Sequence, residues 1–341
     1  MVVADAPNPM ADAPAACLPQ SAVGSFYRRP PNPRMIAGRA FSDGAMDTAI
    51  TDPDLRWDGS LWHLYYSSPH GTTFDPPGPT IIRHATSADL AAWTFDDTPA
   101  LNVSGVHEPS VVENPGAPAD QRYLMLYTFD AGPALAAAFS ADGITFTSAG
   151  LVLDGNAVYA GDATARVGDP ELALLGSTYH LWFSSSGANA YGISHATSTD
   201  GTHWTVDAAP VPSLLRTSAD KKTGGAKPSV IYDDVHCRWE MWLSNDQTGD
   251  TSTQSVQDAN TAGLWHATST NGTTWTLNYT FARDFVWDGT AAGEHLGMRA
   301  GADVAMKSTG RYMVYVGYDN QNVPSGATYA TTLDLATRDA P

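Results

Sequence analysis

The chain is short of positive charge. Its 341 residues carry 18 Lys and Arg against 36 Asp and Glu, so the net charge is −18 and the pI lies near 4.6. A surface of that sign repels phosphate backbones and anionic bilayers, which argues against nucleic acid and membrane as partners. Long apolar runs are missing, and nothing approaches the roughly 20 residues that a spanning helix needs. No block of like charges reads as an acidic tail. Helical periodicity is absent over any useful length, which leaves strands to build the fold. Cysteine is scarce. Cys17 and Cys237 are either two separate thiols or one disulfide tying the N-terminal segment to the body. Residues 1–19 are rich in Ala, Pro and Asp and lack the basic end and apolar middle of a signal peptide. An initiator Met ahead of a mature exported chain reads this way, so a secreted or periplasmic location is expected, with the signal peptide removed.

What the chain does have is a repeat. An ionisable residue, a proline, a short apolar run and an aromatic strand recur in that order. The copies begin at Asp52-Pro53, Glu108-Pro109, Asp169-Pro170 and Lys227-Pro228, and a fifth, at Asp303, lacks the proline. Spacings of 56, 61, 58 and 76 residues indicate a repeat architecture. Each anchor precedes an alternating aromatic run such as Trp62-His63-Leu64-Tyr65-Tyr66-Ser67. A hairpin follows, as in His195-Ala196-Thr197-Ser198-Thr199-Asp200-Gly201 before Trp204-Thr205. Asp-Gly and Asn-Gly supply the positive φ that such turns require.

Four short strands per repeat and five repeats predict an all-β five-bladed β-propeller of four-stranded antiparallel blades. Residues 1–35, with Pro30, Pro31 and Pro33, read as an extended arm, and 36–341 as one propeller domain. The last blade runs out of chain, so a strand from about Phe26 to Thr48 is expected to close the ring. Gln247–Asn260 and Phe281–Ala300 exceed the repeat and read as rim loops. Trp93, Trp204 and Trp275 recur at one hairpin position, which assigns them to packing between blades.

The innermost strand of each blade lines a propeller's axis, so the anchors Asp52, Glu108, Asp169, Lys227 and Asp303 should ring one mouth of the channel. Like charges this close push at least one pKa upward. Two carboxyl groups with separated pKa values are what glycosidic cleavage uses. The bland alternative is that an Asp-Pro only caps a strand's start. Asn or Ser would serve that role as well, yet three consecutive repeats carry acids.

These features resemble the five-bladed glycoside hydrolases: families 43 and 62, the invertase and levansucrase families 32 and 68, and relatives such as 117 and 130. The resemblance runs from about Asp47 to Leu333. It rests on Asp52-Pro53 and Gly168-Asp169-Pro170 ahead of their aromatic strands, and on the Ala-Thr-Ser-(Asp/Asn)-Gly-Trp-Thr hairpins. It implies Asp52 as general base, Asp169 as the group that tunes pKa and orients substrate, and an acid on the fourth blade. There the chain departs, with Ala226-Lys227. Glu108 is then the first candidate for a relocated acid. Glu171, two residues past Asp169, is the second and gains if the chemistry is invertase-like. A single, inverting displacement is the expectation from family 43.

Further candidates for substrate contact are Asp54, His107, Lys227, Trp57, Trp287, His295, Arg299 and Asp303. Lys227 can pair with a channel carboxylate, hold a sugar group or, with Arg166 or Arg299, hold phosphate. No ligand spacing supports a metal, so a structural calcium on the axis rests on the resemblance alone, and no other cofactor is expected. The expected partner is a carbohydrate substrate, such as an arabinofuranoside or xyloside. The competing class is a non-catalytic carbohydrate-binding propeller. Ser198-Thr199-Asp200-Gly201-Thr202-His203-Trp204 also approaches a sialidase box, though without the residue expected between Asp and Gly.

Overall fold

A computed structural model describes residues 26–29, 35–71, 78–130, 132, 134–188, 190–207, 211, 215–217, 226–244, 264–277, 302–308, 310–319 and 330–338. Five antiparallel sheets follow one another along the chain as the blades of a propeller. Their inner strands are Thr51–Trp57, Val106–Glu113, Arg166–Leu175, Ala226–Asp233 and Ala302–Lys307. The aromatic runs form the second strands, for example Trp62–Gly71 in blade 1 and Thr178–Gly187 in blade 3. Blade 5 is completed from the other end of the chain: Tyr27–Arg28 and Met35–Ile36 both pair with its strand Ala330–Arg338. Cys237 is disulfide-bonded, while Cys17, residues 1–25 and 30–34 of the expected arm and both expected rim loops lie outside the described residues.

The hairpin glycines show how the repeat docks one blade on the next. Gly143 and Gly272 sit at φ 75° and 76°, which places their carbonyls against the preceding blade. Tyr65 of blade 1 donates its hydroxyl to Gly143 O at 2.6 Å, and Trp182 of blade 3 donates Nε1 to Gly272 O at 2.8 Å. Around the second contact, Trp182, Trp239, Met241 and Trp275 form one buried cluster across blades 3 and 4. Trp93 and Trp204 likewise pack into interblade clusters.

The axis is built from two rings, two residues apart in sequence. In blades 1 to 4 the anchor and its proline together face one residue of the second strand, which is a β-bulge. Proline is tolerated there because a bulged residue leaves the hydrogen-bond ladder. Asp52, Glu108, Asp169 and Lys227 adopt φ of 49°, 56°, 49° and 52°. For residues with side chains this costs on the order of 1 kcal/mol or more each. Backbone hydrogen bonds hold the conformation. Glu108 N donates to Ser67 Oγ at 2.9 Å, Asp169 N to Thr128 Oγ1 at 3.2 Å and Lys227 N to Ser184 Oγ at 3.0 Å.

The second ring lies two residues further along. Asp54, Ser110, Glu171, Ser229 and Asp303 each accept a hydrogen bond from the backbone N–H of the next blade, at Val111, Leu172, Val230, Val304 and Leu55. The circle is closed, at 2.6–3.2 Å per link. Asp303 therefore belongs to this inner ring. It pairs opposite Val314, next to Ala302 opposite Tyr315. The alignment of Asp303 with the four anchors is corrected by two residues, and the position that does align with them, 301, lies outside the described residues.

Ser229→Ala should leave the buried Val304 N–H without an acceptor and cost about 1–3 kcal/mol. Denaturant unfolding of the variant checks this, and an unchanged midpoint would mean the ring links do not hold the blades together.

Candidate functional site

The outer ring opens into a small pocket lined by Asp52, Glu108, Asp169, Lys227, their four prolines, Glu171, Ala302 and Asp303. Lys227 reaches across the axis. Its Nζ lies 2.9 Å from Asp52 Oδ1, 3.3 Å from Asp169 Oδ1 and 3.4 Å from Glu108 Oε1. One ammonium thus serves three carboxylates, and the Lys227 pKa is raised well above its usual value. Burial opposes that charge and the three acids overcome it.

The acids are not alike. Glu108 has a donor at every acceptor position. Oε1 meets Lys227 and His107 Nδ1, the latter at 3.3 Å. Oε2 accepts from Thr128 Oγ1 at 2.7 Å and from Asp169 N at 2.8 Å. A Cβ at Gly168 would fall 3.3 Å from Glu108 Oε2, so the close approach of blades 2 and 3 uses a glycine. Burial alone would raise the Glu108 pKa, but Lys227 and His107 hold it well below the carboxylate range. Asp169 goes the other way. Burial and the charge of Glu108 raise it to about 7, against the pull of Lys227. Its Oδ1 is buried and makes no hydrogen bond.

The inner ring is a second acidic group with weaker compensation. Burial, followed by the charge of Asp303, raises Asp54 well above its usual range. Glu171 is raised in the same way by burial, Asp303 and Asp54. Burial lifts Asp303 to about 6.

Of the sequence candidates, Asp52, Glu108, Asp169 and Lys227 come together, with Glu171 and Asp303 at the pocket floor. Asp54 does not line the pocket, because its carboxylate is spent on the Val111 N–H. Trp57 is at the wrong end of its strand: it packs on Trp62, 5.1 Å between ring centroids, under the Lys307 ammonium. His107 stands beside Glu108. Trp287, His295 and Arg299 lie outside the described residues. Arg166 donates to the Ala165 carbonyl and does not line the pocket. Sequence reasoning missed Ser67, Thr128, Ser184 and Asp130. The first three were signalled by a hydroxyl residue at the same place in three aromatic strands.

Asp52, His107 and Glu108 bring one ligand atom each within 4.8 Å of one another. The set does not fit the calcium ion that the resemblance admits. The Lys227 ammonium already stands against two of the three, and both His107 nitrogens face carboxylate oxygens, which leaves no lone pair to coordinate.

No protein family and no curated protein matches the sequence. Solved structures do. An α-L-arabinofuranosidase of Podospora anserina aligns with 94% of this chain and 98% of its own, at TM-score 0.62 and 12% identity. A glycosyl hydrolase of Bacteroides ovatus aligns with 94% and 96%, at TM-score 0.59 and 14% identity. A family 32 β-fructofuranosidase of Bombyx mori aligns with 88% of this chain and 62% of its own, at TM-score 0.59 and 18% identity. The chain shares the fold of the five-bladed glycoside hydrolases. Families 43, 62 and 130 also appear among the similar folds. At these identities the likeness speaks for the architecture, and the site must be argued from its own residues.

A carboxyl group raised to about 7 binds a proton in the folded chain that the unfolded chain releases near 3.8. Its contribution to stability therefore falls as pH rises through that window. Asp169→Asn lacks this penalty. The melting temperature of the variant relative to the parent should climb between pH 4 and pH 8, and a flat difference would contradict the raised value.

Proposed function

We propose that the protein is a glycoside hydrolase acting at the outer ring, with Asp169 as proton donor and Asp52 as the carboxylate that works with it. The observation that supports this most is the unequal protonation of neighbouring acids: Asp169 is raised to about 7 while Glu108, beside it, is held ionised. A proton donor must hold its proton near the working pH, which favours Asp169 over Glu108. Glu108 is then a scaffold group that fixes its neighbours.

The spacing also bears on stereochemistry. Asp52 Oδ1 and Asp169 Oδ1 lie 2.9 and 3.3 Å from one nitrogen. That keeps them closer than the roughly 6.5–9.5 Å that an inverting pair leaves for water. It supports a double displacement over the inverting reaction expected from family 43. In the first step an Asp52 oxygen bonds the anomeric carbon as the glycosidic C–O bond breaks, and Asp169 gives its proton to the departing oxygen. In the second, water attacks that carbon, Asp169 takes the water's proton and Asp52 leaves as carboxylate. Phosphorolysis gains no support from the described residues, since the charge of Lys227 is committed to three acids.

A non-catalytic sugar-binding propeller is the second reading. It is favoured by the contact of Lys227 with every outer-ring carboxylate, which could silence all three. A panel of aryl arabinofuranosides, xylosides, fructosides and galactosides separates the two. Turnover should fall about 10²–10⁴-fold in Asp52→Asn and in Asp169→Asn with the fold intact. Full activity in either variant overturns its assignment, and binding without turnover across the panel selects the second reading. Activity should decline as pH rises through about 7, where Asp169 loses its proton. The first product seen by proton NMR should keep the anomeric configuration of the substrate.

A further inference from the structure

Asp130 follows the second strand of blade 2, Tyr123–Phe129. Its N–H donates to Gly105 O at 3.0 Å, which pins it to the segment entering the inner strand. Its Oδ1 stands 2.7 Å from His107 Nε2. The other ring nitrogen of His107 faces Glu108 Oε1 at 3.3 Å. An ionised carboxylate only accepts hydrogen bonds. A ring with a carboxylate oxygen at each nitrogen satisfies both only as imidazolium, with N–H on both sides; a neutral ring turns a lone pair toward one of them.

We propose that Asp130 is a positioning residue of the axial site: it holds His107 doubly protonated, and His107 supplies Glu108 with a charged donor that keeps it ionised and in place. The device is a carboxylate–imidazolium–carboxylate relay running from the rim to the axis. The charged groups facing His107 are Glu108 on its own strand, Asp130 beyond the neighbouring strand and Asp52 from blade 1. Lys227 from blade 4 and the Asp169 N–H from blade 3 reach it through Glu108. Burial favours the neutral ring, but the bond and charge of Glu108, then Asp52 and Asp130, lift His107 to about 9. At neutral pH, Lys227 and His107 thus offset the charges of Glu108 and Asp52, and Asp169 is left as the acid that keeps a proton. Asp130, 58% exposed, can be changed from the surface without reshaping the axis.

The kinetic consequence rests on the outer ring being the reacting centre; the relay itself is measured without substrate. Imidazole nitrogens are followed by NMR through a pH titration of the parent, Asp130→Asn and Asp130→Glu. The parent His107 should titrate near 9. Asp130→Asn should titrate lower by roughly half to one pH unit, as suits a mostly exposed partner, and Asp130→Glu should recover most of the difference. An unchanged midpoint in Asp130→Asn, or a parent midpoint at the ordinary histidine value, overturns the proposal.

Stability gives an independent reading. A histidine raised on folding contributes fully below its unfolded pKa, near 6.5, and loses that contribution as pH climbs through about 9. In Asp130→Asn the loss between pH 6.5 and 9.5 should be smaller than in the parent. An equal drop at every pH would mark Asp130 as merely structural and also overturn the proposal. On a turned-over substrate, Asp130→Asn should lower kcat several-fold with little change in KM. The expected titration shift with no turnover of any substrate would leave the relay standing and remove the hydrolase reading instead.

Discussion

The site depends on a left-handed residue immediately before a proline, repeated in four blades. A residue before proline is pushed toward extended backbone, so φ near 50° at Asp52, Glu108, Asp169 and Lys227 is held there against local preference. Ser67, Thr128 and Ser184 hold it for three of the four, by accepting the N–H of the next blade's anchor. Each bulge inserts one residue ahead of a regular strand, and that residue's side chain is aimed at the axis. Strain of this kind clusters where a protein needs a group in an otherwise unavailable place.

Given those bulges, one ammonium decides the character of the acids. Three carboxylates brought this close cannot all ionise without a cation, and Lys227 provides it from the opposite side of the axis. It does not serve them equally, because their other partners differ. Glu108 has Thr128, His107 and the Asp169 N–H in addition. Asp169 Oδ1 has the ammonium and no hydrogen bond. Chemically similar side chains a few ångströms apart therefore split into one fixed anion and one proton carrier.

The ring was legible in the sequence because it is carried by local rules repeated five times: Asp-Gly and Asn-Gly turns, alternating aromatic strands, and tryptophans at one hairpin position. The convergence of Asp52, Glu108, Asp169 and Lys227 followed from the same repeat. Asp303 misled because no proline marks the anchor in that repeat, and the nearest acid lies two residues further along, at the inner-ring position. Trp57 misled because seven residues of strand carry it from the mouth to the far end, where it packs on Trp62. The roles of Glu108 and Asp169 were not legible at all. They are set by Thr128, His107 and a backbone N–H from another blade, and nothing in the spacing of the anchors encodes those contacts.

The two rings also divide labour in a way that explains why the inner one uses carboxyl groups in three places and hydroxyls in two. A neutral acceptor is enough to hold a backbone N–H, as Ser110 and Ser229 show. Asp54, Glu171 and Asp303 accept the same bond, yet burial presses all three toward protonation, joined by the charge of Asp303 at Asp54 and Glu171. With their protons on, Asp54 and Glu171 link the blades as hydroxyl-bearing groups do and add little negative charge beneath the outer ring. If they were fully ionised, the charge of Lys227 would be divided among more partners and Glu108 would lose part of what holds it ionised. The protonation of these two inner acids thus favours the charge separation in the outer ring.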